Sequence, residues 1–350
     1  MSDQSNIRPG SACPSEVTDA SVALAGAQSE HAAIVLAGGD GTRLSEFTRE
    51  MFGEEIPKQF CKFWGEHTLL EQTRRRAGLF IDPARTITVL TASHARFYRP
   101  LLEGLGQGHL AIQPEKRGTA PAILYALMRL KKLAPKCSVA MFPSDHFVDD
   151  DRRFMRHVEA ALRAVDDRPE QTILLGIEPT EPDAQYGWIE PGELVANECE
   201  PIRQIRRFWE KPPLPIARRL MNSGCLWNSF VIVSRLSTFL GLFLCAMPAL
   251  CEAFRAIEGE LGTLWEMSRV HRLYQDIDAS SFSDEILAKC PLNLAVLRVH
   301  GVQWDDLGDP RRLANLLKRR ELPAPVRSSG IARTRPAYSG QRGIAGNSEI

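Results

Sequence analysis

No C-x-x-C pair occurs among the eight cysteines (positions 13, 61, 137, 199, 225, 245, 251 and 290), and the eight histidines do not fall at metal-ligand spacing. That scatter argues against a zinc site and against a disulfide framework. Reduced, buried thiols account for the cysteines better, since several, Cys137 and Cys245 among them, sit in apolar runs. The N-terminus has no basic stretch leading into an apolar core, so a secretory signal is not expected. No apolar run reaches the length that spans a bilayer. The richest, Leu236 to Leu250, is interrupted by Ser237, Thr238, Gly241 and Pro248. An excess of one charge is missing too: 43 basic residues balance 43 acidic ones. No global field therefore points to nucleic acid or to an acidic membrane as a partner. Internal repeats are absent, including the hexapeptide pattern of a β-helix. The expectation is a soluble, cytoplasmic protein.

What is present reads as an ordinary globular enzyme, 44% hydrophobic and 25% charged over a length of 350 residues. Residues 1–30 and 321–350 are polar, small or arginine-bearing without periodicity, and are expected to be disordered tails. Between them, over 31–320, strand-like runs alternate with helical patterns. Strands are expected at Ile34–Ala37, Thr86–Leu90, Leu110–Ile112, Ser138–Phe142, Thr172–Ile177, Ser229–Val233 and Leu294–Val299. Helices are expected near Thr68–Phe80, from a Thr119 cap with Pro121 in the first turn, along the stripe Phe154, Val158, Leu162, Val165, and over Arg311–Leu317. Such alternation predicts an α/β fold with a doubly wound, mostly parallel, Rossmann-like sheet. Ligands would then sit at the carboxyl ends of its strands.

The most informative segment is Leu36-Ala37-Gly38-Gly39-Asp40-Gly41-Thr42-Arg43-Leu44, which follows the apolar run Ala32–Val35. Glycines let a backbone approach a ligand and aim N–H groups at it, while Thr42 and Arg43 add a hydroxyl and a planar cationic fork for phosphate oxygens. The segment is neither the dinucleotide fingerprint nor a P-loop, because its lysine, Lys58 of Pro57-Lys58-Gln59-Phe60, stands well downstream. Asp145, closing Phe142-Pro143-Ser144-Asp145, reads on bare chemistry either as a metal ligand at the sheet edge or as a turn aspartate. The run Asp149–Asp151 suits the first turn of a helix better than a D-x-D metal motif. In Trp304-Asp305-Asp306-Leu307-Gly308-Asp309-Pro310, Asp309 precedes Pro310 as an N-cap would.

The glycine-rich loop with its distant lysine resembles the signature of the sugar-nucleotide pyrophosphorylases, a nucleotidyltransferase family. Pro57-Lys58-Gln59-Phe60 points within it to mannose-1-phosphate guanylyltransferases. Further elements follow in the family's order: Gln113 to Ala122, Asp145, Tyr186 to Pro191, Phe208 to Pro212, Asn222 to Phe230, and Trp304 to Gly308. The resemblance implies a GT-A-like fold without a C-terminal β-helix, and transfer of a nucleoside monophosphate from an NTP, GTP first, to a sugar 1-phosphate. It implies nucleotide contacts from Leu36, Ala37, Gly38, Gly39, Gly41, Thr42, Gln113 (or Glu115), Gly118 and Thr119. It places Arg43, Lys58 and Lys211 in catalysis and a magnesium ion (Mg2+) on Asp145 and Asp306, with Asp305 as a supporting group. Gly187, Glu190, Glu210 and Asn228 fall to the sugar phosphate, with Ser281–Asp284 a fainter echo. Other base or sugar specificities, a non-catalytic sugar-nucleotide sensor and a glycosyltransferase are the rival readings. Homo-oligomerisation is left open. Two departures stand out: the twelve residues Ser45–Ile56 lengthen the loop before Pro57, and Gly118 stands where the family often has Asn.

Overall fold

A computed structural model describes residues 30–197 and 201–319. Both expected tails, together with Cys13 and Cys199, therefore fall outside the described residues, save Glu30. The strands are β1 (His31–Leu36), β2 (Thr86–Thr91), β3 (Leu110–Gln113), β4 (Ser138–Pro143), β5 (Phe147–Val148), β6 (Thr172–Ile177), β7 (Trp188–Asn197), β8 (Pro201–Trp209), β9 (Leu226–Arg235), β10 (Leu294–Val299) and β11 (Trp304–Asp305). Nine of them form one sheet in the order β3-β2-β1-β4-β9-β6-β10-β8-β7, while β11 and β5 make a separate two-stranded ladder. Parallel pairing joins β3, β2, β1 and β4, and again β6 and β10. Between those blocks β9 runs antiparallel to both neighbours. Because β8 also runs antiparallel to β10 and β7, only β9 and β8 oppose the common direction of the other seven strands. The central sheet is thus mostly parallel in direction, and among the described residues no β-helix follows it.

The helices are α1 (Ser45–Phe52), α2 (Leu69–Ala77), α3 (Ala95–Tyr98), α4 (Thr119–Leu133), α5 (Asp151–Asp167), α6 (Leu214–Asn222), α7 (Leu236–Ala246), α8 (Pro248–Ala256), α9 (Glu266–Asp276) and α10 (Pro310–Arg319). They cover both faces of the sheet, and strand alternation decides which face each residue serves. Ile34, Val139 and Met141 join α4, α7, α8 and α9 in one core. Their neighbours Ala33, Ala140 and Phe142 pack instead with the α5 stripe Phe154, Val158, Leu162 and Val165. Because both faces are covered, these strands read as continuous apolar runs.

Local chemistry sets several element boundaries. Thr68 and Glu71 form a reciprocal capping box that starts α2. Asp150 caps α5 by accepting from the Arg153 N–H, and Asp151 lies in its acidic first turn, as the helix reading of that run requires. Asp309 accepts from the N–H groups of Arg311 and Arg312 at the start of α10. Thr119 does not cap α4: Gly118, at φ 82°, takes that position, and the Thr119 hydroxyl accepts from the Phe282 N–H at 2.8 Å. The expected strand Ser229–Val233 extends over all of β9. Among the described residues no single helix is long and apolar enough to cross a membrane, and α7 and α8 meet at a 118° bend.

The cysteines fit the buried-thiol expectation only in part. Cys61, Cys137 and Cys225 are buried, Cys251 and Cys290 are half-buried, and Cys245 is exposed. Burial pushes the Cys137 thiol up to about 12 and that of Cys225 to about 11. Cys245 lies within an apolar run, but on the outer side of α7.

One buried polar cluster secures α9 to α4. The Glu266 carboxylate accepts from the Tyr125 hydroxyl, from Arg129 Nη1 and from the Gly262 N–H, while Arg129 Nη2 donates to the Gln107 carbonyl at 2.9 Å. Arg129 and Glu266 are both buried. Removing one partner of such a pair leaves a desolvated charge without compensation. Glu266→Ala is expected to destabilise the fold by roughly 3–5 kcal/mol, read from urea unfolding monitored by circular dichroism. A loss well under 1 kcal/mol would show that the pair carries no such burden.

Candidate active site

The last residues of β1, β3 and β4, namely Leu36, Gln113 and Pro143, open onto one cavity of about 440 Å³. This is the carboxyl edge of the sheet, where α/β folds hold their ligands. Gly38, Gly39 and Arg43 form one wall, and Gly118 and Thr119 another. Asp145 and Asp306 stand together on the floor side, while Gly187, Glu210, Lys211 and Asn228 come from the β7–β9 side.

The Pro57–Phe60 turn explains how the first wall is held. Buried Gln59 donates its amide N–H groups to the carbonyls of Ala37 at 3.1 Å and Gly39 at 2.6 Å. Its neighbour Lys58 reaches inward, with Nζ 3.2 Å from Asp145 Oδ2 and also donating to the Asp306 backbone carbonyl. Arg43, half exposed at the mouth, approaches Asp306 Oδ2 at 3.4 Å. Arg312 of α10 holds the same carboxylate from behind, Nη2 to Oδ1 at 3.2 Å, and pairs with Asp183.

Burial by itself would raise the Asp306 carboxyl. Lys58, nearby His146, the Gly308 N–H and Arg312 outweigh it and hold that carboxyl below the ordinary aspartate value. Asp305 differs. Burial raises its carboxyl, only partly offset by Arg312 and by the Leu307 N–H that it accepts at 2.6 Å. Asp305 faces Arg312 at 3.6 Å and does not line the cavity. Burial likewise pushes His146 down to about 4, leaving its imidazole neutral at pH 7.

The floor suits a magnesium ion. The Asp145 carboxylate and the Asp306 carbonyl already surround a cation there, the Lys58 ammonium, and these, like the Asp306 carboxylate, are hard oxygen donors. Among the described residues no three metal-ligating side chains gather at one point.

The second half of the site is shaped by unusual backbone. Lys211 (φ 42°) and Phe230 (φ 58°) adopt left-handed conformations, and both line the cavity. Lys211 Nζ lies 3.3 Å from Glu210 Oε1. Asn228 accepts from the Phe230 N–H at 3.0 Å through Oδ1, which leaves its amide nitrogen for the cavity.

Several expected residues are not brought to the cavity wall. Ala37 is buried beneath it, its N–H donating to the Val89 carbonyl. Gly41 and Thr42 shape the turn into a short 3-10 segment. Glu115 pairs with Arg117 at 2.9 Å. Glu190 does not line the cavity either. It shares a strand face with buried Trp188, and its carboxylate meets Arg206 at 3.3 Å, outside the cavity. Other lining residues had been given no role of their own: Lys116, Tyr186 and Phe230, which lie within the quoted motifs, and His146, which follows Asp145. Ser283, from the fainter motif, does reach the wall. Gln59 and Arg312 act one layer back, and only the P-K-Q-F motif signalled the former.

Gly118 is enforced by its surroundings. A Cβ there would stand 2.2 Å from the Ser280 carbonyl oxygen. Ser280 is stitched to the same loop, donating to the Arg117 carbonyl at 2.9 Å and accepting from the Ala120 N–H at 3.1 Å.

Residues 32–319 match the model of the nucleotidyl transferase family. The chain is 32% identical over 260 residues to the xanthan biosynthesis protein XanB of Xanthomonas campestris pv. campestris, covering 72% of this chain and 52% of that protein. It is 25% identical over 292 residues to a mannose-1-phosphate guanylyltransferase of Escherichia coli, covering 79% of this chain and 59% of that one. The chain thus spans about half the length of the curated relatives it matches. Among solved structures, a protein of Thermus thermophilus described as a mannose-1-phosphate geranyltransferase superposes with a TM-score of 0.67. There the identity is 27%, over 80% of this chain and 76% of that one.

Gly118→Ala tests the close approach at the loop. Both the left-handed φ and the Ser280 carbonyl oppose a side chain, so a loss of at least about 2 kcal/mol is expected in urea unfolding. A neutral substitution would mean that the 280 segment moves aside freely.

Proposed function

This chain belongs to the nucleotidyl transferase family, and we propose that it transfers a nucleoside monophosphate from an NTP to a sugar 1-phosphate, releasing pyrophosphate. GTP and mannose 1-phosphate are the leading pair. The observation that carries the reading is the convergence, on one cavity, of Arg43, Asp145 and Asp306 over Lys58 on one side with Glu210, Lys211 and Asn228 on the other. Similarity to the guanylyltransferase of Escherichia coli supports the choice of base and sugar.

In the proposed reaction an oxygen of the sugar phosphate attacks the α-phosphorus in line. A new P–O bond forms as the bond to the bridging oxygen breaks, and that electron pair leaves with pyrophosphate. No protein nucleophile is needed, so the protein's part is alignment and charge stabilisation. Arg43, at the mouth, would neutralise the triphosphate and the departing pyrophosphate. Lys58 would hold the two carboxylates in place and add positive charge beneath the reacting phosphates. Asp145 and Asp306 would hold magnesium, which when bound supplies further neutralisation of phosphate charge. Lys211 would orient the attacking phosphate, and Asn228 would hydrogen-bond the sugar.

A panel of NTPs and hexose 1-phosphates with pyrophosphate release as readout tests the reading directly. Turnover greatest with GTP and mannose 1-phosphate is expected, and turnover with none of the pairs would end it. Asp145→Asn and Asp306→Asn should each lower kcat by at least about two orders of magnitude. Asp305→Asn should be far milder, because that carboxylate faces Arg312 instead of the cavity. An essential Asp305 beside a dispensable Asp306 would reverse the assignment.

Lys211→Ala should raise the KM for sugar phosphate and lower kcat, together about 2–4 kcal/mol of transition-state stabilisation. Calorimetric affinity for magnesium–GTP without sugar phosphate should barely change. Collapse of that affinity with a normal sugar-phosphate KM would move Lys211 to the nucleotide half of the site.

A further inference from the structure

We propose that Tyr274, which no motif includes, is a positioning residue for the base end of the cavity. It fixes the Gln113 side chain so that the amide offers N–H, and not C=O, to the incoming base. Bases with a keto oxygen at that edge are thereby favoured over bases with an amino group. The inference rests on the reading that Gln113 faces the base of the nucleotide.

Gln113 ends β3 and is only 3% exposed. Its Oε1 accepts from the Tyr274 hydroxyl at 3.3 Å. Tyr274 itself is fully buried on α9, with Arg117 Nε donating to its carbonyl at 2.8 Å and the Phe254 ring set edge-on at 6.4 Å. Burial pushes its phenol well above the ordinary tyrosine value, so the hydroxyl keeps its proton. Among the described residues Gln113 Oε1 is the acceptor that proton has. If the amide turned over, its N–H would point at the phenol oxygen and the phenol proton would be left buried without a partner. Tyr274 therefore decides the orientation of the amide.

Among the described residues the other end of the amide has no hydrogen-bond partner. Nε2 lies beside Gly38, so close that an added Cβ there would stand 2.7 Å away. Gly38 brings no side chain to compete for the N–H, and the Thr91 hydroxyl beside it donates to the Gly38 carbonyl at 2.9 Å. Guanine O6 and the O4 of uracil or thymine accept a hydrogen bond, whereas adenine N6 and cytosine N4 carry hydrogens. An amine facing an amide N–H gains no bond and leaves two donors opposed.

Steady-state kinetics with GTP, UTP, ATP and CTP, at saturating sugar phosphate, tests this in two variants. Tyr274→Phe keeps the ring against Phe254 and removes only the hydroxyl. The KM of the best keto nucleotide should rise about 5- to 10-fold with kcat unchanged, while the KM for ATP or CTP stays level or falls. Equal shifts for keto and amino nucleotides, or a change confined to kcat, would overturn the positioning role. Gln113→Glu retains an oxygen for Tyr274 and turns the cavity-facing N–H into an acceptor, so preference should move toward ATP and CTP. If Gln113→Glu moves the preference and Tyr274→Phe does not, the base reading of Gln113 stands and Tyr274 is refuted. If Gln113→Glu leaves the preference untouched, Gln113 does not face the base and both fall.

Discussion

The site depends on the Lys58 ammonium. Asp145 leaves the sheet at the end of β4, and Asp306 arrives much later, just after β11. Two carboxylates gathered in a poorly solvated cavity repel each other, the more strongly for lack of water. Lys58 lies almost fully buried between these segments, contacting the carboxylate of one and the carbonyl of the other. Burying a cation is costly unless acceptors surround it, and here they do. The same turn carries Gln59, which holds the carbonyls of the glycine-rich loop. One short segment thus joins the end of β1, the end of β4 and the loop before α10. Arg312 completes the arrangement by offsetting Asp183, Asp305 and Asp306 together.

The interior strands were legible because burial on both faces writes itself as an uninterrupted apolar run, as in Ser138–Phe142. The glycine loop, Asp145 and Asp306 were legible through motif and order, since a sheet edge collects residues that follow strands. Glu190 stands off the cavity wall because a strand's two-residue period sets it with Trp188. The β7–β8 hairpin was harder to read. Ile202, Ile205 and Phe208 are buried at intervals of three, with register shifts along the pairing that neither a strand nor a helix period anticipates. In α7 most faces are apolar, so no stripe marks it as a helix. Tyr274 and Arg312 were invisible for a different reason. Each acts through a partner more than a hundred residues away, in Gln113 and Asp183, and only folding reveals the pair.

Backbone strain is concentrated where chemistry is proposed. The three described non-glycine residues with positive φ are Lys211, Phe230 and Leu307. Two line the cavity and the third directly follows Asp306. Left-handed backbone at such residues is unfavourable by roughly 1–3 kcal/mol each, and persists only where surrounding contacts over-determine it. In exchange, the chain turns sharply enough to set Lys211 beside Glu210 and to aim Asn228 inward. Leu307 is fully buried, so the turn that presents Asp306 is anchored by packing.

The contact between Gly118 and Ser280 also bears on how this loop is able to diverge. A side chain at position 118 meets the backbone of a segment far along the chain. Backbone atoms, unlike side chains, are not removed by a point substitution. A lineage exchanging Gly118 for Asn would first need an altered path for residues 280–283, while one that had already moved that path would lose the reason for glycine. The two segments are therefore bound to drift as a unit, and the order in which their changes accumulate is constrained.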